Sequence, residues 1–264
     1  MWIWMMTGCT EATNQIKQQD SASILDTAIK QDTEDTTTNS EDTGTISSTD
    51  CPPNMVLIND NFCIDQYEAS LEEFNNGTWV AHSPFHTPSG SNFRAVSKAN
   101  VKPQAHISGA LAQQACEQSD KRLCTSDEWL LACQGSESRQ YPYGNSYQNG
   151  ACNDVYADGH PLINYFGTSE GIWDSAHMND PNINQQPKSL APTGTYTDCV
   201  TPEAVFDLHG NIHEWVADSS GVFRGGFYAD AVINGTGCQY KTSAHNFSYY
   251  DYSTGFRCCS DSLE

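Results

Sequence analysis

Cysteine is the residue that most constrains how this chain can fold. Eleven cysteines occur in 264 residues, and no two of them form a C-x-x-C pair of the kind that holds zinc. Many cysteines without a metal-binding motif are typical of disulfide-bonded proteins that fold in an oxidising compartment. The sequence therefore predicts an extracytoplasmic domain whose loops are fixed by disulfides.

The start of the chain has the pattern of a lipoprotein signal. Residues 1–6 are apolar, and residues 6–9 read Met-Thr-Gly-Cys, as in a lipobox. In such a signal the cysteine is lipidated and becomes the first residue of the mature protein. We therefore predict that residues 1–9 are a signal remnant and that Cys9 carries the lipid. Thr10 in the next position favours the outer membrane or cell surface, and the alternative is an apolar start with an unrelated cysteine.

A polar segment separates this signal from the rest of the chain. Residues 10–50 consist mostly of Ser, Thr, Asp, Glu, Asn and Gln. This composition cannot bury a hydrophobic core and predicts a disordered acidic tether. From Cys51 onwards aromatic residues, glycines and cysteines are spread to the end, which predicts one folded domain over residues 51–264.

Charge argues against two classes of partner. The formal net charge is −21, from 33 acidic and 12 basic side chains. A chain this acidic repels nucleic acid and anionic lipid. We therefore expect no nucleic-acid partner, and contact with a membrane only through the lipid anchor.

Two segments have the start signals of helices. Ser108 can cap a helix that runs to Cys116, and Thr125 with Glu128 forms a capping box that opens a second helix. Short apolar runs predict strands, with long irregular loops between them. The candidate strands are residues 55–58, 62–65, 214–217, 222–227 and 254–258. This combination predicts an α+β domain with little regular secondary structure, stapled by disulfides.

Six motifs follow one another between Cys51 and Cys259. They are MVLI with CIDQYE at residues 55–58 and 63–68, KRLCTSDEW at 121–129, YPYG at 141–144, FDLHGNIHEW at 206–215, FRGGF at 223–227 and GFRC at 255–258. Their sequences and their order resemble the sulfatase-modifying-factor family, to which formylglycine-generating enzymes belong. The resemblance implies the fold of that family, which is a variant of the C-type lectin fold.

The resemblance does not extend to the residues that carry the chemistry of this family. Its oxidases use two cysteines just after the RGGS strand, which bind copper, activate oxygen and oxidise a substrate cysteine to formylglycine. Here the first of these positions is Asp230, and the second falls near Gly235. A carboxylate and a glycine cannot replace two soft thiolates as ligands of copper(I), so we expect neither copper nor catalytic residues. Cys238 lies nearby, but its spacing from Cys258 fits a structural disulfide of the family.

Ten cysteines remain when the lipobox cysteine is set aside, and an even number suits a fully paired domain. The resemblance implies two disulfides, because the family links its two helices to the last strand and to the cysteine before it: Cys116–Cys258 and Cys133–Cys238. Three further pairs are inferred from a local strand pair, from the long middle loops and from the cysteines then left: Cys51–Cys63, Cys152–Cys199 and Cys124–Cys259. A zinc or copper cluster of cysteines is the competing interpretation.

The loop with the GNIHEW sequence is a candidate calcium site. In the family a calcium ion lies there, bound by an Asn side chain, a Glu side chain and main-chain oxygens. The matching residues are Asn211, Ile212, Glu214 and Val216. Hard oxygen ligands in a tight loop suit calcium. The alternative is that Asn211 holds a turn and that Glu214 binds backbone amides.

Together these observations predict a non-catalytic binding or scaffold module, held outside the cytoplasm by a lipid anchor. Its ligand would be a protein, a peptide or a glycan, and aromatic side chains at residues 164–166 and 247–252 are candidates for stacking on it. The alternative is a formylglycine-generating-type oxidase or a related enzyme with an altered site. For that alternative the candidate residues are Asp230, His245 and Arg224.

Metabolic labelling tests the anchor. With a fatty-acid probe the wild-type protein should be labelled and Cys9→Ala should not, because Cys9 is the cysteine of the lipobox. Ser21→Ala, a change within the tether, is a matched control that should keep the label. Equal labelling of the wild type and Cys9→Ala would refute the anchor.

Overall fold

Short strands and short helices are connected by long loops in the computed structural model, which describes residues 51–263. The predicted signal remnant, the lipobox cysteine and the predicted tether lie outside the described residues. Within the described part the predicted α+β class, with few helices and many loops, is confirmed.

The secondary structure is distributed along the whole of residues 51–263. The strands are β1 Met55–Ile58, β2 Phe62–Asp65, β3 Ala69–Asn75, β4 Thr78–Ala81, β5 Phe93–Ser97, β6 Arg122–Leu123, β7 His213–Trp215, β8 Phe223–Arg224, β9 Lys241–Thr242, β10 Thr254–Phe256 and β11 Cys258–Asp261. The helices are α1 Gly109–Glu117, α2 Ser126–Gln134, α3 Pro161–Phe166 and α4 Ser175–Met178, with 3-10 turns at Ile183–Gln185 and Gly237–Gln239.

Three small sheets form the framework of the described chain. The first has the order β1-β2-β11-β6, in which β11 pairs antiparallel with both β2 and β6 and so brings the first and last strands together. The second has the order β10-β7-β8-β9, in which β10 and β7 run parallel. The third has the order β4-β3-β5 and is antiparallel.

The two predicted helices begin at the residues that cap them. Ser108 accepts a hydrogen bond from the Leu111 amide and starts α1, whereas Thr125 and Glu128 form the capping box that starts α2. The inner face of α2 buries Trp129 completely in the core. Among the described residues, no helix has both the length and the hydrophobicity needed to cross a membrane.

The strand predictions hold best where a strand is apolar. The predicted strands at residues 55–58 and 62–65 are β1 and β2. The predicted strand at residues 254–258 is divided into β10 and β11, which belong to different sheets and separate at the fully buried Arg257. The third sheet was not predicted, because polar and charged residues interrupt its apolar pattern, as in the ASLEEFN sequence of β3.

Five disulfides close the long loops, and they join the pairs that the sequence analysis gives. They are Cys51–Cys63, Cys116–Cys258, Cys124–Cys259, Cys133–Cys238 and Cys152–Cys199. All ten cysteines of residues 51–263 are therefore paired, and the competing interpretation of a zinc or copper cluster is wrong for this region.

Two successive cysteines of β11 bind it to both helices. Neighbouring side chains of a strand point to opposite faces of the sheet. Cys258 therefore meets Cys116 on α1, and Cys259 meets Cys124 next to the start of α2. The two bonds hold the last strand between separate parts of the hydrophobic core.

Removing disulfides tests how much each one contributes. Cys152–Cys199 spans 47 residues and Cys51–Cys63 spans 12, and no other disulfide shortens either loop. A disulfide restricts the unfolded chain more when it closes a longer loop, so Cys152→Ala/Cys199→Ala should lower the free energy of unfolding by about 4 kcal/mol. The matched variant Cys51→Ala/Cys63→Ala should lower it by about 3 kcal/mol. Urea unfolding measures both losses, and equal losses would contradict this expectation.

Candidate functional site

The loop that follows β8 carries Asp230 and Gly235, where the resemblance places the catalytic cysteines of the family. Asp230 closes a tight turn, in which its carbonyl oxygen accepts from the Phe227 amide at 2.8 Å. Its Oδ1 accepts from the backbone amides of Val232 and Ile233, both at 3.0 Å. Its Oδ2 accepts from the Tyr240 hydroxyl at 3.0 Å. Protein donors therefore occupy both oxygens of this carboxylate.

Gly235, near which the resemblance places the second position, has no room for a side chain. Gly235 has a φ of +124°, and a Cβ there would lie 2.8 Å from the carbonyl oxygen of Gln239. The nearby Cys238 is fully buried and bonded to Cys133. In the described structure, residues 230–238 therefore contain no free thiol that could act as a thiolate.

A chain of polar side chains leads from Asp230 into the core. Tyr240 lies 3.1 Å from Nε2 of His213, and Nδ1 of His213 lies 3.2 Å from the Ser253 hydroxyl. That hydroxyl donates to Oδ1 of Asp251 at 2.7 Å. We refer to these five residues as the Asp230–Asp251 chain.

Three separate elements position this chain. His213 begins β7, and Tyr240 follows the 3-10 turn Gly237–Gln239. Ser253 comes just before β10, and its carbonyl accepts from the His213 amide at 2.9 Å at the start of the parallel pairing of β7 and β10. The backbone of the second sheet thus sets the distance between the histidine and the serine.

Aromatic rings enclose His213. The rings of Phe223 and Phe227 lie 4.6 and 4.9 Å from its ring, centre to centre. Burial among them lowers the pKa of the His213 imidazole to about 3, although the charge of Asp230 acts in the opposite direction. The ring is therefore neutral at physiological pH and carries one N–H.

The Asp230–Asp251 chain has one hydrogen fewer than it has links. Its two ends are carboxylates, and a neutral His213, Tyr240 and Ser253 supply three hydrogens for four links. Ser253 donates to Asp251, so Nδ1–H of His213 donates to Ser253. The Tyr240 hydrogen then serves either Asp230 or Nε2 of His213.

The other residues named for an altered enzyme site form no hydrogen bond with the Asp230–Asp251 chain, although His245 interacts electrostatically with His213. Nε of Arg224 donates to the Ser126 hydroxyl at 2.8 Å, and its guanidinium lies 5.8 Å from the Trp129 ring centre. His245 stacks on Tyr249 at 3.6 Å. Neither Arg224 nor His245 forms a hydrogen bond with Asp230 in the described structure.

The loop predicted to hold calcium has its side chains occupied by protein groups. Oδ1 of Asn211 accepts from Nδ2 of Asn153 and from the Ala191 amide, both at 2.9 Å. Both carboxylate oxygens of Glu214 accept from Arg257, at 2.6 and 2.7 Å. The main-chain oxygens predicted to complete the site belong to Ile212, which lies between Asn211 and Glu214 in sequence, and to Val216, which follows Glu214. A calcium ion bound by both Glu214 oxygens would have to displace Arg257. Calcium at this loop stays a prediction.

Three buried carboxyl groups surround the single guanidinium of Arg257. Glu68, Asp207 and Glu214 all interact electrostatically with Arg257. Burial, followed by the charges of Asp207 and Glu214, raises the pKa of Glu68 well above its usual value. Burial also raises the pKa of Asp207 to about 7. Oε1 of Glu68 has no hydrogen-bond partner, which is consistent with a carboxyl group that holds a proton.

Most aromatic side chains of the two loops proposed for ligand stacking belong to the core. Tyr252 is buried, and Phe247 packs against the core at α1. Tyr165 and Tyr250 remain exposed by 38% and 37%, and Trp173 nearby in sequence by 50%. The exposed rings, rather than the whole loops, are thus available to a ligand.

Comparison with known proteins identifies one family. The sequence model of the sulfatase-modifying factor enzyme 1-like domain matches residues 12–262. No curated protein matches the chain.

Forty-four chains of solved structures match it, at low identity. PvdO from Pseudomonas aeruginosa is 14% identical, with a TM-score of 0.46, over 76% of this chain and 80% of that one. The U1 variant of the Major Tropism Determinant is 13% identical, with a TM-score of 0.45, over 82% of this chain and 54% of that one. Treponema denticola variable protein 1 is 15% identical, with a TM-score of 0.33, over 72% of this chain and 62% of that one. The chain thus spans only part of the last two.

Removing the Tyr240 hydroxyl tests the Asp230–Asp251 chain. Tyr240→Phe leaves Nε2 of His213 buried without a partner, which costs about 1–3 kcal/mol of unfolding free energy. Tyr165→Phe removes an exposed hydroxyl and should change stability by no more than about 0.5 kcal/mol. Urea unfolding at pH 7 compares the two variants with the wild type. The Asp230–Asp251 chain has no structural role if Tyr240→Phe is as stable as Tyr165→Phe.

Proposed function

The chain belongs to the sulfatase-modifying factor enzyme 1-like domain family, and from this premise we propose that it is a binding or scaffold module without oxidase chemistry. Membership confirms the family resemblance. It also confirms the fold expected with it, the formylglycine-generating-enzyme-type variant of the C-type lectin fold.

The pairing of the cysteines carries this proposal. The oxidases of the family need two thiolates, whereas all ten cysteines of residues 51–263 are in disulfides. The first catalytic position is a carboxylate bound by three protein donors. At Gly235, near which the second position falls, a side chain would collide with the backbone. Copper(I), a soft ion, therefore finds no suitable ligand pair at this loop.

The proposed binding function rests on exposed rings. The Cys152–Cys199 disulfide closes the segment that contains Tyr165 and Trp173, and these two rings and Tyr250 present aromatic surface to solvent. Aromatic rings contribute a large contact area at little cost in side-chain entropy, and they stack on peptides and sugars alike. The ligand we propose is therefore a protein, a peptide or a glycan.

The proposed location is the outside of the cytoplasmic membrane. Five disulfides in one domain are typical of proteins that fold in an oxidising compartment. The lipobox cysteine, Cys9, would anchor the chain to a membrane, and residues 10–50 would serve as a leash. In this arrangement the tethered domain binds its ligand at the surface of the membrane.

A second candidate function is an oxidase or related enzyme that uses an altered site. The Asp230–Asp251 chain favours it, because a buried histidine joined to a carboxylate can take part in proton transfer. Bound copper together with oxygen consumption, both lost in Asp230→Asn, would support this candidate. Tyr250→Phe, which keeps the exposed ring, is the matched control for that measurement.

A formylglycine assay tests the main proposal. Purified full-length protein is incubated with copper(I), oxygen and a sulfatase-type peptide that bears the target cysteine. We expect no aldehyde above trace amounts, because the described domain has no pair of free thiols to bind copper. Mass spectrometry of the peptide measures the conversion.

Two variants make the outcome specific. Conversion that is abolished by Cys238→Ser but kept by Cys199→Ser would show that Cys238 acts as a catalytic thiol. That result would move the protein among the oxidases and overturn the proposal.

A further inference from the structure

A second site lies beside the third sheet, away from the loop after β8. A pocket of about 170 Å³ opens next to strands β3, β4 and β5. Much of its wall is apolar, with Ala81, Pro84, Val96 and Val101 among the lining residues. For comparison, an apolar cavity of about 150 Å³ holds a benzene molecule, so this pocket has room for about six to eight non-hydrogen atoms.

Two lysines line the same pocket without a counter-ion. Among the Lys and Arg residues of the described chain, four have no carboxylate within ion-pair distance. These four are Lys98, Lys102, Arg224 and Lys241, and the first two line this pocket. In a chain with a net charge of −21, two lysines without an ion-pair partner at one pocket are an exception; Lys98 is exposed to solvent, and Lys102 is half-buried.

The carboxylate that also lines the pocket is paired with an arginine. Oε2 of Glu72 accepts two hydrogen bonds from Arg94, at 3.0 and 2.7 Å. His82 is held on both sides, by Glu73 at Nδ1 and by the His86 carbonyl oxygen at 2.9 Å from Nε2. Neither Glu72 nor His82 is therefore paired with the two lysines, and the Lys102 ammonium lies 5.8 Å from the centre of the Phe85 ring.

Lys102 is the more enclosed of the two lysines. Its ammonium donates to the carbonyl oxygen of Leu190, which uses one of three N–H groups. Burial lowers the pKa of this amine, since no carboxylate stabilises its charge. An anion in the pocket would supply the missing charge.

We propose that this pocket binds a short aliphatic monocarboxylate, with the carboxylate on Lys98 and Lys102 and the alkyl body against the apolar wall. An inorganic anion would leave the apolar wall uncovered, and a neutral alkyl group would leave the lysines uncompensated. The carboxylate can belong to a free acid or to the C-terminal residue of a peptide. This inference gives the proposed binding module a class of ligand, and so it rests on that function.

Calorimetric titration of the full chain tests the site with four probes. They are isovalerate, its neutral analogue isovaleramide, a tripeptide that ends in leucine, and the same tripeptide with an amidated C-terminus. We expect at least one carboxylate to bind, and its amide to bind at least about tenfold more weakly. Tighter binding of isovalerate identifies a free acid as the ligand type, and tighter binding of the tripeptide identifies a C-terminal residue.

Three variants locate the binding. Lys98→Gln should weaken the carboxylate about tenfold, which corresponds to about 1.4 kcal/mol. Ala81→Leu keeps the charge but reduces the space and should weaken it as well. Lys241→Gln, which removes an exposed and unpaired lysine elsewhere, should leave binding unchanged. Circular dichroism verifies that each variant is folded.

The inference is overturned if no carboxylate binds saturably, if acid and amide bind equally, or if Lys98→Gln binds as the wild type does. These outcomes leave the formylglycine assay untouched. Conversely, aldehyde formation by a protein that still binds the carboxylate would refute only the proposed non-catalytic function.

Discussion

The ion pair between Arg257 and Glu214 holds the centre of the domain. Both side chains are fully buried, and the guanidinium donates to both carboxylate oxygens at 2.6 and 2.7 Å. Desolvating two such charges costs several kcal/mol unless their remaining hydrogen-bonding groups are satisfied. Here Nε1 of Trp129 donates to Glu214, and the carbonyls of Asp65 and Phe206 accept from Arg257. The pair thereby joins the first sheet through Asp65, the second sheet through Glu214, helix α2 through Trp129 and the loop before β7 through Phe206.

The same interaction joins three of the family motifs. Trp129, Glu214 and Arg257 come from separate motifs, KRLCTSDEW, GNIHEW and GFRC. They meet in the core, whereas Asp230 and Gly235 lie on the loop after β8, which contributes no hydrogen bond to the ion pair in the described structure. These three motif residues therefore serve the fold.

Much of this architecture could be predicted because its signals are local or are fixed by the number of cysteines. Ser108 and the Thr125–Glu128 capping box mark the starts of α1 and α2, since a cap depends on side chains within one helical turn. The disulfide pairs followed from family positions and from an even number of cysteines. The third sheet escaped prediction, because its strands are half exposed and carry charged residues such as Glu72.

By itself, the sequence determined the cysteine content, the helix caps, the six motifs and the absence of cysteine at residues 230 and 235. Only the tertiary structure decided that His213, Tyr240 and Ser253 join Asp230 to Asp251, because these contacts bridge 27 and 40 residues. It also decided that Glu214 faces Arg257, and that two lysines without counter-ions share a pocket. The residue type of each side chain is known from the sequence, but its hydrogen-bond partners and its burial depend on how distant segments pack.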